Sequence, residues 1–190
     1  MSGPLFYGLA TLRLLLPLLL LAAGCGQPEA PPVEDGLARA TETYRQHFAS
    51  GVPAEVFGAT VIKRGDYFIE LLGTSERAAY RVPMPSSTDR RSAAERAREA
   101  RTGADWQVVP DSAVVARLAV VVGTFEQADL HALFSDPDGS FASFRVTPHD
   151  RLSYYRSGVD PDTIQGNVLH WQSITREWVY SRGKNSHDGT

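Results

Sequence analysis

The sequence predicts a single α+β domain, with a mostly antiparallel sheet and helices packed against it. Three observations carry this expectation. Short apolar runs alternating with period two recur along the chain, separated by turns bearing Gly, Asp and Pro. Helical spacing is clear near the start, where Leu37, Ala40, Tyr44 and Phe48 fall on one face. The chain has 190 residues and no internal repeat, and about 150 residues bury roughly 70% of their unfolded surface, enough for one core.

In chain order, residues 34–50 predict the first helix, closed by Gly51 and Pro53. A three-stranded meander follows over 56–63, 67–72 and 77–82. Tyr67, Ile69 and Leu71 share one face and Phe68 and Leu72 the other, so this strand is expected to be central and covered on both sides. Arg64-Gly65-Asp66 is a tripeptide that some adhesion receptors read. Between two strand-patterned runs, its Gly and Asp are explained by turn geometry. Residues 89–101 predict a second helix with an alanine stripe, capped by Gly103. The β-branched runs 106–109 and 114–122 predict strands. Thr124-Phe125-Glu126-Gln127 matches a capping box, opening a third helix through Ala128, Leu130, Leu133 and Phe134. Asp136-Pro137-Asp138-Gly139 has type I turn chemistry, and 141–146 reads as a strand. Thr147-Pro148 is expected to open a short helix to about residue 156. After a loop around Asp160-Pro161-Asp162, residues 168–174 and 178–181 form a last hairpin, with Trp171 and Trp178 expected to pair across its turn. Residues 183–190 read as a flexible tail.

Ahead of this domain, Arg13 precedes an apolar run from Leu14 to Leu20 interrupted only by Pro17, then Leu21-Ala22-Ala23-Gly24-Cys25. A basic start, a short apolar stretch and small residues before a cleavage point make a secretory signal. The Leu14–Ala23 run is about half the length of roughly 20 apolar residues that a membrane-crossing helix needs. Its ending, Ala22-Ala23-Gly24-Cys25, resembles the lipobox of bacterial lipoproteins. The resemblance covers residues 1–26. It implies that 1–24 are removed as a signal peptide and that Cys25 becomes the lipidated first residue, anchoring the chain to a membrane. Gly26 stands where Asp would signal inner-membrane retention, which implies the outer membrane, facing the periplasm. Residues 25–33 then form a lipidated, proline-rich tether, and 34–182 the domain. Cys25 is the one cysteine, so its lipidation leaves the exported domain no thiol for a disulfide.

The chemistry-bearing residues exclude more than they select. A net charge of −3 gives no basic field for nucleic acid. His47, His131, His149, His170 and His187 are too widely spaced to announce a metal site, and no cofactor motif is present. Asp136 and Asp138, like Asp160 and Asp162, begin as a calcium loop does, yet the twelfth positions are Thr147 and Trp171. Both stretches read as turns. No nucleophile elbow occurs, although His149-Asp150 and His170 leave a spatially assembled hydrolase site open. The strongest functional candidate is the basic face of the second predicted helix. Arg90, Arg91, Arg96, Arg98 and Arg101 stand there against Asp89, Glu95 and Glu99. Arg91, Arg98 and Arg101 fall near one side of the helical wheel, a possible partner-binding surface as well as a possible solvated face. Trp106, Trp171, Trp178, Tyr154, Tyr155 and Tyr180 serve either a ligand groove or the core.

The expected function is therefore a non-enzymatic accessory or interaction protein of the cell envelope, anchored to the membrane through Cys25 and holding a protein partner. The alternatives are a module for a small apolar or glycan ligand and, behind it, an envelope hydrolase. The three make different structural demands. A partner surface predicts an exposed apolar patch rimmed by arginine. A ligand predicts a pocket closed by aromatics, and a hydrolase predicts His and carboxylates converging in a cleft.

Overall fold

The computed structural model describes residues 31–72, 78–158, 160 and 168–183. The chain divides after Pro31 into two units, and the second is the one described below. The signal segment 1–24, Cys25 and the tether up to residue 30 lie outside the described residues, as do Pro161, Asp162, His187 and the tail from 184.

Helix α1 (Val33–Thr43) runs on into a π-helical turn, Tyr44–Phe48. Strands β1 (Ala59–Arg64) and β2 (Asp66–Leu71) form a hairpin through Gly65, whose φ of +72° favours glycine, and β3 (Ala78–Val82) completes the meander. Then come α2 (Ala93–Arg98), the short β4 (Arg101–Thr102) and the long α3 (Ser112–Gln127). Strands β5 (Ala132–Ser135), β6 (Phe141–Arg145), β7 (Asp150–Tyr155), β8 (Val168–Ser173) and β9 (Trp178–Gly183) close the domain. Among the described residues, nine strands pair in the order β4-β3-β2-β1-β5-β6-β7-β9-β8. Every pairing is antiparallel. This is the α+β architecture that the sequence predicts.

Period-two alternation gives the sheet two unlike faces. One row of registered partners, Tyr80–Ile69–Val61–Leu133–Phe144–Leu152–Tyr180, crosses seven strands and is buried throughout. The helices cover this face. Leu118, Val121, Val122 and Phe125 of α3 join the same core, with the Phe125 ring against Tyr67. Helix α1 covers the β7–β9 end, where Phe48 lies on Phe144 and Trp178.

Several local expectations fail for identifiable reasons. Residues 114–122 are helix, not strand: Asp111 caps α3 by accepting a 2.8 Å bond from the Val114 amide, and the apolar positions then recur at helical spacing. Arg117, midway along, donates to the carbonyls of Phe57 and Glu55 and ties α3 to the β1 approach. Thr124–Gln127 is the last turn of α3, so no third helix starts there. The chain reverses at Asp129, φ +46°, and enters β5. Residues 106–109 contribute only a single bridge, Val108 to Thr102. Thr147 opens no helix. Its hydroxyl donates to Asp150 Oδ2 at 2.6 Å and accepts from the Asp150 amide at 3.0 Å, closing the β6–β7 hairpin loop. The second helix is confined to Ala93–Arg98, between a Ser92–Glu95 capping box and the turn at Glu99. Strand β2 is buried on one side only; outward-facing Phe68 is half-buried, with Trp106 edge-on to it. Trp171 sits opposite Ser181 while Trp178 points into the core, so the two tryptophans do not pair.

One glycine is required by a close approach. A Cβ on Gly36 of α1 would lie 2.5 Å from Asp150 Oδ1, and that carboxylate is held in place on β7. Gly36→Ala is expected to lift α1 off β7 and β9 and to cost about 1–3 kcal/mol, the usual range for overpacking. Urea titration of the purified protein checks this, and an unchanged midpoint would show that the helix can shift without loss.

Candidate interaction surface

The second face of the sheet bears no helix from the described residues. Its central row of registered partners reads Arg81–Phe68–Ile62–Ala132–Arg145–Arg151–Ser181. One step along the strands, Thr60, Phe134, Ser143 and Ser153 make a parallel row. Ile62 is 43% exposed and Phe134 is 47% exposed, large values for such side chains in a sheet interior. Phe141 extends this apolar ground, 6.2 Å from the Phe134 ring and 5.0 Å from Tyr155. A shallow depression of about 310 Å³ is lined by Ile62, Phe134, Phe141, Ser143, Arg145 and Arg151.

Arg145 and Arg151 carry the electrostatic interest. They are direct cross-strand partners on β6 and β7, so their side chains share a face. Neither guanidinium makes a hydrogen bond or ion pair among the described residues. Like charges placed directly opposite in an antiparallel pair are destabilising, and no carboxylate of the described residues pairs with them. Asp66, further along the face, is engaged by Arg81.

The arginines singled out from the sequence are not one surface. Arg91 precedes α2, where Asp89 binds it through contacts of 2.6 and 2.9 Å and Glu99 engages its other end. The Arg91 side chain in turn draws the Asp89 carboxyl down to about 2. Arg101 lies on β4 opposite Arg81 and donates to the Ala100 carbonyl at 2.8 Å. Arg98 alone keeps an exposed place on α2. It edges a groove of about 650 Å³ that also involves Val109, Pro110, Val115 and Ala119. Arg96, read with them as a surface charge, is buried: it pairs with Glu126 of α3 and donates to the Arg91 carbonyl. Glu126 also lies close to Tyr67, whose hydroxyl is pushed well up, first by burial and then by that carboxylate.

The remaining candidates fall into the core or stay scattered. Trp178 packs against Tyr44, Phe48, Phe144 and Tyr154 inside the domain, so these rings form core and not a groove. The His131 imidazole is pushed below its ordinary value, chiefly by partial burial. Among the described residues no three of His, Cys, Asp and Glu come together as a metal site. Asp150 is fully buried and its oxygens accept from Thr147, Tyr180 and Arg182. It is already saturated, and the neighbouring His149 ring takes no part. The signal that reading 147–156 as helix concealed is simple. A four-residue loop after Arg145 returns the chain so that Arg151 lies opposite it. No protein-family model matches the chain, and neither the curated proteins nor the solved structures contain a significant match to it.

Proposed function

We propose that this protein is a lipid-anchored accessory protein of the bacterial cell envelope. It holds a protein partner at the membrane through the uncovered face of its sheet. The anchor rests on the lipobox resemblance at Ala22-Ala23-Gly24-Cys25, and the outer membrane, facing the periplasm, on Gly26. The observation that carries the interaction is the exposed pair Ile62 and Phe134 beside two arginines that have no counter-charge among the described residues. This is an apolar patch with an arginine rim, at a place other than the helix where the sequence suggested it. Anchoring confines domain and partner to one surface, so a modest contact is sufficient.

Photo-crosslinking in living cells tests both halves. A photoreactive residue at Phe134 is expected to give a discrete protein adduct, while the same group at the exposed Gln46 on the helical side gives none. Cys25→Ser is expected to abolish incorporation of labelled fatty acid and to lower the Phe134 adduct with it. Persistent lipid labelling would overturn the anchor, and the absence of any Phe134 adduct would overturn the docking face. The groove beside Arg98 favours the second reading, a small apolar ligand, and a defined small molecule retained by the purified protein would support it.

A further inference from the structure

We infer that Arg145 and Arg151 form a two-guanidinium seat for a carboxylate of the protein partner, supplied by an acidic segment whose neighbouring apolar side chain rests on Ile62 and Phe134. The inference rests on the docking face proposed above and names the chemistry of what occupies it. Two observations support it independently. The first is the cross-strand register, which sets the two cations directly opposite one another with no counter-ion among the described residues. A planar guanidinium presents a fork of donors matched to a carboxylate, so two adjacent forks make a strong anion seat.

The second is continuity with apolar ground. Ala132 and Ile62 follow Arg145 along the same row, and Phe134 lies two residues beyond Ala132 on β5. Strands sit about 4.8 Å apart and side chains on one face recur about every 6.8 Å. An extended segment with an acidic residue and an apolar residue two positions away therefore spans from the arginines to Phe134. A free phosphate would use the arginines and ignore Phe134. A lipid surface would meet the apolar ground but has no need of the depression between Phe141 and Arg145.

On this inference the two charges serve the partner and not stability. Arg151→Gln removes the like-charge opposition and is expected to leave the melting temperature unchanged or raised. A clear fall would mean that the arginine is structural, and would overturn the proposal.

The decisive test uses Arg151→Lys in full-length protein in intact envelopes, treated with a water-soluble carbodiimide. This reagent joins a lysine amine to a carboxylate without a spacer, and arginine does not react. The chain's own lysines, Lys63 and Lys184, set the background in the wild type. The expected result is a new protein adduct in Arg151→Lys that is absent from wild type and from Arg151→Gln. The Phe134 photo-adduct should fall about tenfold or more in Arg145→Gln and Arg151→Gln, since truncating one side of a desolvated charge contact costs at least that much. A Phe134 adduct that persists without any carbodiimide adduct, or that ignores both arginines, would overturn the carboxylate seat alone. Carbodiimide coupling to lipid and not to protein would do the same. Loss of the Phe134 adduct from the otherwise wild-type protein would instead bring down the docking face itself.

Discussion

Asp150→Ala is expected to lower the unfolding free energy by about 3–5 kcal/mol, the range for breaking a buried ion pair from one side. Asp150 is fully buried and Arg182 nearly so. Asp150 accepts from Arg182 Nε at 2.7 Å, Arg182 Nη2 at 3.0 Å, Tyr180 at 2.7 Å and Thr147 at 2.6 Å. Removing the carboxylate strands a guanidinium inside the domain and loosens the β6–β7 loop that Thr147 closes. It also loosens the attachment of α1, since Arg182 donates to the Pro32 carbonyl and the Tyr180 hydroxyl lies 3.3 Å from that of Val33. Urea unfolding monitored by tryptophan fluorescence measures the loss. A cost below about 1 kcal/mol would place the site among ordinary surface substitutions and refute the clasp. Pairing Asp150→Ala with Arg182→Met should recover part of the loss, because the charge left uncompensated is then gone.

The pH dependence follows with a definite sign. Burial pushes the Asp150 carboxyl up, but the donors from Arg182, Thr147 and Tyr180 together outweigh it and hold the carboxyl below its usual range. The folded protein therefore binds fewer protons here than the unfolded chain. The stabilisation is complete above the unfolded value of about 3.9 and drains away as pH falls through the lower folded value. The gap between wild type and Asp150→Ala should narrow in that acid range and be constant from pH 6 to 8.

The sequence was most legible where turn chemistry and alternation agreed. Gly65 and the Asp136–Gly139 turn both close hairpins where residue type demands it, and β1, β2, β3, β6 and the β8–β9 hairpin follow. It misled where side-chain shape outvoted spacing. Val114, Val115, Val121 and Val122 are β-branched and suggest a strand, yet with Leu118 and Phe125 they fall on one helical face. A charged residue at 117 inside a supposed buried strand was the contrary sign. That single misreading displaced the next helix onto β5. The candidate site was hidden by the related error at Thr147, because helix over 147–156 leaves Arg151 with no cross-strand partner. Arg96 was illegible for another reason. Its burial depends on Glu126, thirty positions away, and on a helix that the local pattern did not suggest.

Two phenylalanines separate what folds this domain from what it is proposed to do. Phe48 is 1% exposed, and its ring lies 4.3 Å from Phe144 and 5.4 Å from Trp178, with Tyr44 also 5.4 Å from that indole. Phe48→Ala opens a void that rings on a sheet cannot rotate to fill, and is expected to cost about 3–5 kcal/mol. The π-helical turn that carries Phe48 joins α1 to the loop before β1, so the loss should appear as early release of α1, seen as faster amide exchange over Val33–Thr43 than in the strands. Phe134 lies on the opposite face and is half exposed, so Phe134→Ser should change stability by about 1 kcal/mol or less. The two variants therefore should part in opposite directions: Phe48→Ala shifts the urea midpoint, and the fraction that remains folded keeps its partner. Phe134→Ser keeps the midpoint and loses the partner. A Phe134→Ser protein as unstable as Phe48→Ala would show that the open face is structural after all, buried in a way that its present exposure contradicts.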